Sequence, residues 1–449
     1  MVIRWIAYCL MTASLAAAVV LQGGVLPEEW EWSALGLSTG AVMWVCVSRR
    51  GGRAPGNAWG LAMLVALLGW ILLQLVPLPA GLVAWLSPQH WQAVTEGRQL
   101  TGQAAGAWMA LSVSPPATLE RLLYVLPAMA TFIAAREMTW WWSKRLWIVV
   151  APVVGIAWLE SLLGIVQFYF MRTEGRAAVS ATGTYVNRNH YSGLLEMVLP
   201  LVMVGAIALW RQNMARHSRT DGSVISATIL LGVSVCVLMG VMLSLSRMGF
   251  ISTLVAVAVI LLILFASKGS QDLRWNKWIW VLPVGLLAFV LLLPSQELTF
   301  RLADLTAAEG VTNDARIGIW QDTLRMTSDY RWAGCGLGAY EQCLYRYKTV
   351  LPLKTVDYAH NDYLQILAEL GVVGAALLAL LAGWMVWRLL KVVVWNREAK
   401  NWHIAVGLLG ALVVVSLHSL TDFNLYIPAN AAAFAWLAGA AVSPGLRRY

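Results

Sequence analysis

The sequence predicts an all-α integral membrane protein of about twelve transmembrane helices, with a long periplasmic loop before the tenth. Three observations carry this reading. Hydrophobic residues make up 59% of the 449 and charged residues only 12%, a balance that soluble domains do not show. Apolar runs of about 20 residues, the length that crosses a bilayer, recur along the whole chain. Basic residues gather in alternate connections between those runs, as membrane topology demands.

The first span, 5–22, follows Arg4 and has the small residues of a signal peptide. Cleavage would leave an odd number of spans and spoil the charge alternation, so this helix is read as retained. Spans follow at 32–48 and 58–77. Residues 78–118 then carry Trp85, Trp91 and Trp108 among small and apolar residues, a composition that predicts short amphipathic helices lying in the periplasmic interface. Further spans are read at 119–135, 146–168, 191–210, 224–243, 249–266 and 278–294. The loop 295–362 alternates polar, glycine and aromatic residues and predicts short helices above the bilayer. Spans at 363–387, 404–420 and 428–443 complete a single polytopic domain over 1–449. The 25 tryptophans gather near span ends, as at Trp140–Trp142 and Trp384/Trp387, which is aromatic-belt behaviour.

Charge gives the orientation. With both termini cytoplasmic, 19 of the 32 Lys and Arg fall on the cytoplasmic side. Seven lie in 295–362, a loop too long for the positive-inside rule to count. Six remain outside: Arg98, Arg121, Arg172, Arg176, Arg188 and Arg247. The net charge of +9 is therefore mainly topological, with anionic-lipid contact secondary, and it gives no support to nucleic-acid binding. Cys9, Cys46 and Cys236 fall in apolar spans and pack as small hydrophobes. Cys335 and Cys343 share the outer loop, where an oxidising compartment would permit a disulfide between them. No metal-type cysteine spacing occurs.

The unusual polar residues all fall on the outer side. They are Gly183–His190, with Asn187, Arg188, Asn189 and His190; Ser244–Gly249, whose Arg247 sits in a very short turn; Asn313–Trp320, with Arg316; His360-Asn361-Asp362-Tyr363 at the mouth of an apolar helix; and His418–Asn424, where His418 and Asp422, four apart, share a helix face. Three arginines at a membrane surface suit a diphosphate, because guanidinium forks onto phosphate oxygens and stabilises charge on a departing group. A histidine beside them can take a hydroxyl proton near neutral pH. Glu160, Glu196 and Glu369 lie within spans and would face the bundle interior.

Each residue also has a plainer reading. Arg247 would serve to cap or snorkel, and Arg188 and Arg316 as solvated loop charges. His360 would cap its helix, His190 would anchor one, and Asp422 would pair with His418. Glu160 and Glu196 would be hydrogen-bonded structural acids. Convergence on one face of the membrane favours the functional reading.

These segments resemble the O-antigen ligase and O-antigen polymerase superfamily of bacterial inner-membrane glycan transferases. The matching pieces are Gly183-Thr-Tyr-Val-Asn-Arg-Asn-His-Tyr-Ser-Gly193, Ser246-Arg-Met-Gly249, Arg316-Ile-Gly-Ile-Trp320, Gly334-Cys-Gly-Leu-Gly338, His360-Asn-Asp-Tyr-Leu-Gln-Ile-Leu-Ala-Glu-Leu-Gly371 and His418-Ser-Leu-Thr-Asp422, in order along 183–422. The resemblance implies a GT-C-like enzyme of the inner membrane with a periplasmic active site. Its donor would be an undecaprenyl-diphosphate-linked glycan, with no cofactor and no obligatory metal. Arg247 and Arg316 would bind the donor diphosphate, with Arg188 a third contact. His360 would activate the acceptor hydroxyl, and Asp422, Asn361 and His190 would support the site.

The expected reaction is glycan transfer to lipid A–core, with a polymerase of O-antigen or exopolysaccharide repeats and a protein glycosyltransferase as alternatives that differ only in acceptor. A multi-pass transporter is the reading from another class. It would place its binding groups near the midplane on repeated halves, and the sequence shows neither. A purely structural scaffold gives no reason for the arginine set.

Overall fold

The computed structural model describes residues 1–48, 54–55, 58–104, 106–173, 180–215, 221–267, 311–350, 354–397 and 401–447. The predicted span 278–294 and the start of the outer loop, 295–310, lie outside the described residues. The described chain is almost wholly helical. In order it forms α1 (Val2–Val20), α2 (Pro27–Ser48), α3 (Ala58–Leu75), α4 (Ala80–Leu86), α5 (Pro88–Leu100), α6 (Pro115–Trp141), α7 (Trp147–Thr173) and α8 (Arg188–Ala215). There follow α9 (Asp221–Leu243), α10 (Arg247–Ala266), α11 (Val311–Asp329), α12 (Tyr340–Leu344), α13 (Asp362–Leu390), α14 (Trp402–His418) and α15 (Pro428–Ala441).

Eight of these helices (α1, α3, α6, α7, α8, α9, α10 and α13) are long and apolar enough to cross a membrane. Three more coincide with predicted spans but fall short of that standard. Helix α2 opens on Glu28, Glu29 and Glu31, while α14 has 17 residues and α15 only 14. The 78–118 segment forms α4 and α5, as its composition predicts. It also contains a feature the pattern does not predict, a two-residue antiparallel pairing of Leu78 with Met109 and Pro79 with Trp108.

Helix α8 sits at the centre. Tyr191, Leu194, Met197, Leu199, Met203 and Val204 point in all directions round it and are all buried, as befits a helix apolar on every face. It packs on α7, α9, α10 and α14. The approach of α14 is close because Gly407 and Gly410 face Leu201 and Pro200 of α8. A Cβ built at Gly407 would lie 2.8 Å from the Leu201 Cα. Without a hydrophobic force between helices in lipid, such small-residue contacts set how tightly helices pack.

The sequence reads 363–387 as one uninterrupted helix, and here the structure corrects it. Helix α13 breaks at Gly371, whose φ of 65° and ψ of −174° belong to a region only glycine occupies at little cost. A break inside a membrane helix must re-satisfy its freed backbone groups, and the loop after α11 does so. Cys335 N–H donates to Ala368 O at 2.9 Å, Gly336 N–H to Glu369 O at 3.0 Å, and Val372 N–H to Arg331 O at 2.9 Å. From α3, Gln74 Nε2 donates to Glu369 O at 2.9 Å and Trp70 Nε1 to Leu370 O at 2.9 Å. The Gly334–Gly338 motif is thus the partner of the break, and Gly334 itself has φ +73° with its Cα facing the Glu369 carbonyl.

Above this break α11 and α12 build a second small core from Ile319, Met326, Tyr330, Tyr340 and Leu344, against Ala359 and Ala368. Cys335 and Cys343 are buried in it together as thiols, and burial pushes the Cys335 thiol well above its ordinary value. Asp322, fully buried, accepts from Thr349 N–H and Oγ1 at 2.8 Å each and ties 349 to α11.

The break makes a stability prediction. Gly371→Ala forces a side chain into the glycine-only region and against the Trp332 carbonyl, at a cost of about 1–3 kcal/mol or more. Gly383→Ala, later in the same helix and with nothing within 4 Å of its Cβ, should be neutral or slightly stabilising. Thermal unfolding in detergent should show a clear drop for the first variant and none for the second.

Candidate active site

The His360 segment is fixed on both flanks by backbone capping. Asn361 is the N-cap of α13, its Oδ1 accepting from Tyr363 N–H at 3.0 Å and Leu364 N–H at 3.1 Å. Its Nδ2 donates to Leu420 O at 2.9 Å. Asp362 is zipped to the turn after α14: its N–H donates to Ser419 O at 2.9 Å, and its Oδ2 accepts from Ser419 Oγ at 2.6 Å. On the other flank Trp320 Nε1, from the Arg316–Trp320 motif, donates to Ala359 O at 2.9 Å. Between these anchors His360 is held at φ +50°, a left-handed conformation uncommon outside glycine, in which asparagine, aspartate and histidine are the most frequent exceptions. Such strain persists only where the surroundings over-determine it.

The His360 ring stands edge-on to Phe423, with centroids 5.0 Å apart, and its Nδ1 is buried without a hydrogen-bond partner. His190 meets the same Phe423 ring at 4.8 Å. Its Nε2 lies 3.6 Å from Asp422 Oδ1, ion-pair range but longer than a hydrogen bond. Asp422 is buried and accepts from Phe423 N–H at 2.9 Å, leaving Oδ2 without a partner.

Electrostatics separate the two groups. Burial pushes the His360 imidazole below its usual value of 6.5; the charge of Asp422 opposes this, and those of Arg316 and His190 reinforce it. Burial would raise Asp422, but the charge of His190, with His418 and the Phe423 N–H, holds it well below the usual carboxylate range. The site therefore pairs a neutral imidazole with an ionised carboxylate at neutral pH.

The structure brings His360, His190, Asp422 and Arg316 within electrostatic reach of one another. Arg188 and Arg247 are both exposed and occupy the first positions of α8 and α10. Ser246 caps α10, its Oγ accepting from Gly249 N–H at 3.2 Å. Gly249 lies against Ser192, a Cβ there being 3.0 Å from the Ser192 Cβ, so the two helix starts are neighbours. One expectation is corrected: α14 ends at His418. Asp422 therefore reaches the cluster through the following turn, not from a shared helix face.

Two further features were not assigned to the site by the sequence. His418 Nδ1 bonds Glu196 Oε1, and Ser252 Oγ bonds Glu196 Oε2, which joins α14, α8 and α10 beneath the cluster. Glu196 is buried, as are Glu160 and Glu369, in keeping with their expected inward orientation. The second feature is Arg121 of α6. It donates to Tyr358 Oη at 3.0 Å and Tyr426 O at 3.3 Å. Tyr358 in turn stacks on Phe423 at 4.1 Å. Only its place one turn inside an apolar helix marks Arg121 out in the sequence. Among the described residues no group of three or more His, Cys, Asp or Glu side chains could hold a metal ion.

Comparison with known proteins fits this geometry. The chain is similar to the probable peptidoglycan glycosyltransferase FtsW of Thioalkalivibrio sulfidiphilus (strain HL-EbGR7), with 27% identity over 268 residues. That alignment covers 59% of this chain and 60% of the relative, so the chain spans about three fifths of that protein's length. Residues 232–379 match the family model described as O-antigen ligase. That segment carries Arg247, Arg316 and His360, and its match supports the resemblance to the O-antigen ligase superfamily.

Proposed function

We propose that this protein is a glycosyltransferase of the bacterial inner membrane, moving a glycan from undecaprenyl diphosphate to an acceptor hydroxyl at the periplasmic face. The observation that carries the reading is the clustering of a neutral, strained His360 with Arg316, beside an ionised Asp422. The family match and the likeness to a protein named a glycosyltransferase support it.

In this reaction the acceptor O–H gives its proton to the His360 imidazole as its oxygen attacks the anomeric carbon. The new glycosidic bond forms while the bond from that carbon to the phosphate oxygen breaks. The electron pair leaves with the diphosphate, where Arg247, Arg316 and Arg188 stabilise the added charge. Asp422 and His190 hold the charge balance beside the base, and Asn361 fixes the helix start that positions it. The acceptor we favour is lipid A–core, which makes the protein a ligase. The two outer-loop thiols, Cys335 and Cys343, are placed in one core where an oxidising compartment would let them pair.

With purified protein and a lipid-linked glycan, His360→Ala should lower turnover by about 10²–10⁴-fold while donor binding persists. Full turnover by that variant would remove His360 from the reaction. Arg247→Ala should weaken donor use, read as a raised KM for the lipid-linked substrate. The pH profile gives an independent check. A base with lowered proton affinity stays neutral further into acid, so the acid limb of kcat/KM should have its midpoint below 6.5. A midpoint above that value would contradict the assignment. Deleting the gene distinguishes the acceptors: long lipid-linked polymer with uncapped lipid A–core marks a ligase, whereas single lipid-linked repeats mark a polymerase.

A further inference from the structure

The opposite end of the bundle holds a second cluster of arginines. His360 stands just before the first turn of α13 and Arg388 in its last, at opposite ends of that broken helix. Three elements converge there. Arg136 belongs to the last turns of α6, Arg388 to the last turn of α13, and Arg447 closes the short helix Pro444–Arg447. The segment 442–447 ties them together: Arg388 Nη2 donates to Val442 O at 3.4 Å, and Ser443 Oγ donates to Arg136 O at 2.9 Å. Arg388 feels the positive charge of both other guanidiniums.

Compensation is thin. Among the described residues, the carboxylate paired here is Glu137, and both its oxygens are engaged. Oε1 meets Arg136 at 2.5 Å and Oε2 accepts from Ala54 N–H at 2.9 Å. Arg447 Nη2 is buried without a hydrogen-bond partner. Among the described residues, three half-buried guanidiniums thus stand against one carboxylate, and positive charge withdrawn from water favours a counter-ion. A group suited to such a cluster is anionic and accepts forked N–H donors, and phosphate oxygens do both. The helix ends that carry Arg136 and Arg388 also carry Trp140, Trp141 and Trp387, and tryptophan gathers at the level of lipid headgroups.

We propose that Arg136, Arg388 and Arg447 form a phosphate-binding site at the end of the bundle remote from His360, filled by the phosphate of an anionic phospholipid or by free phosphate. It is separate from the diphosphate-binding arginines of the proposed reaction, and its test does not depend on them. The protein, purified in neutral detergent, is titrated with phosphatidylglycerol, phosphatidylethanolamine or inorganic phosphate, with binding read by native mass spectrometry and melting. Phosphatidylglycerol should bind and raise the melting temperature, and phosphatidylethanolamine should do so weakly. Arg447→Gln should weaken binding at least tenfold, and Arg388→Gln with Arg447→Gln should abolish it. Without any anion, Arg447→Gln should melt no lower than the native protein, because a repulsion is relieved. Stabilisation by inorganic phosphate but not by phosphatidylglycerol would identify a soluble ligand for the same site. No binding of either, or equal phosphatidylglycerol binding by the native and doubly substituted proteins, would overturn the proposal.

Discussion

Burying Glu196 against His418 and Ser252 fixes the helices whose ends carry the candidate site. The carboxylate lies in the most enclosed helix of the bundle, and lipid offers it no water. An acid there without partners is costly, and one whose partners come from two other helices holds those helices in register. From this point α8 runs back to His190 and Arg188, α10 runs back to Arg247, and α14 runs out to the turn that presents Asp422. A shift of one helix by a turn would separate Glu196 from a partner and move an arginine or Asp422 by about 5 Å. The buried acid therefore sets the spacing of groups it does not touch.

A second constraint works from above. The break at Gly371 gives α13 a short leading piece, Asp362–Leu370, whose freed carbonyls are claimed by the loop at 335–336 and by Gln74 and Trp70. That exchange docks α11 and α12 onto the bundle. Trp320 then reaches Ala359 from α11, and so brings Arg316 to His360. The left-handed backbone of His360 is the residue of this double anchoring. Asn361 and Asp362 hold its C-terminal side to the α14 turn, Ala359 holds its N-terminal side to α11, and one residue must absorb the mismatch between them.

Much of this is legible in sequence. Helix positions follow from apolar runs, because lipid-facing and core-facing residues alike must be apolar. The site groups stand out by convergence: arginines, histidines and an aspartate gather on one side of the predicted spans, which their separate capping and pairing uses do not require. The break in α13 is not visible, since Gly371 sits in an apolar run and glycine is ordinary in membrane helices. Its meaning lies in a partner loop some 35 residues earlier, at Gly334–Gly338. The end of α14 at His418 is hidden in the same way, because Ser419-Leu-Thr has no strong stop signal and tertiary contacts to Asp362 decide it. Glu196 and Arg121 are visible as polar residues in apolar helices, but their partners are distant in sequence. Periodicity shows which way they face and says nothing of what they meet.

The electrostatics of the cluster answer a difficulty built into the proposed chemistry. The proposed base must be neutral to accept a proton, yet it stands beside Arg316, which in that reading holds negative charge. Burial and Arg316 keep His360 neutral, and the ionised Asp422 offsets part of the positive charge around it. In the proposed reaction the donor diphosphate brings negative charge next to Arg316. Coulombic reasoning then raises the proton affinity of His360 once the donor is in place. In that reading the base is weakest in the empty site and strengthened by its substrate. When the glycan transfers, the diphosphate gains charge as the imidazole gains its proton, so the two new charges form opposite each other. An arginine and a histidine on one face of a membrane are common. Their coupling through a buried aspartate makes this pair suited to group transfer.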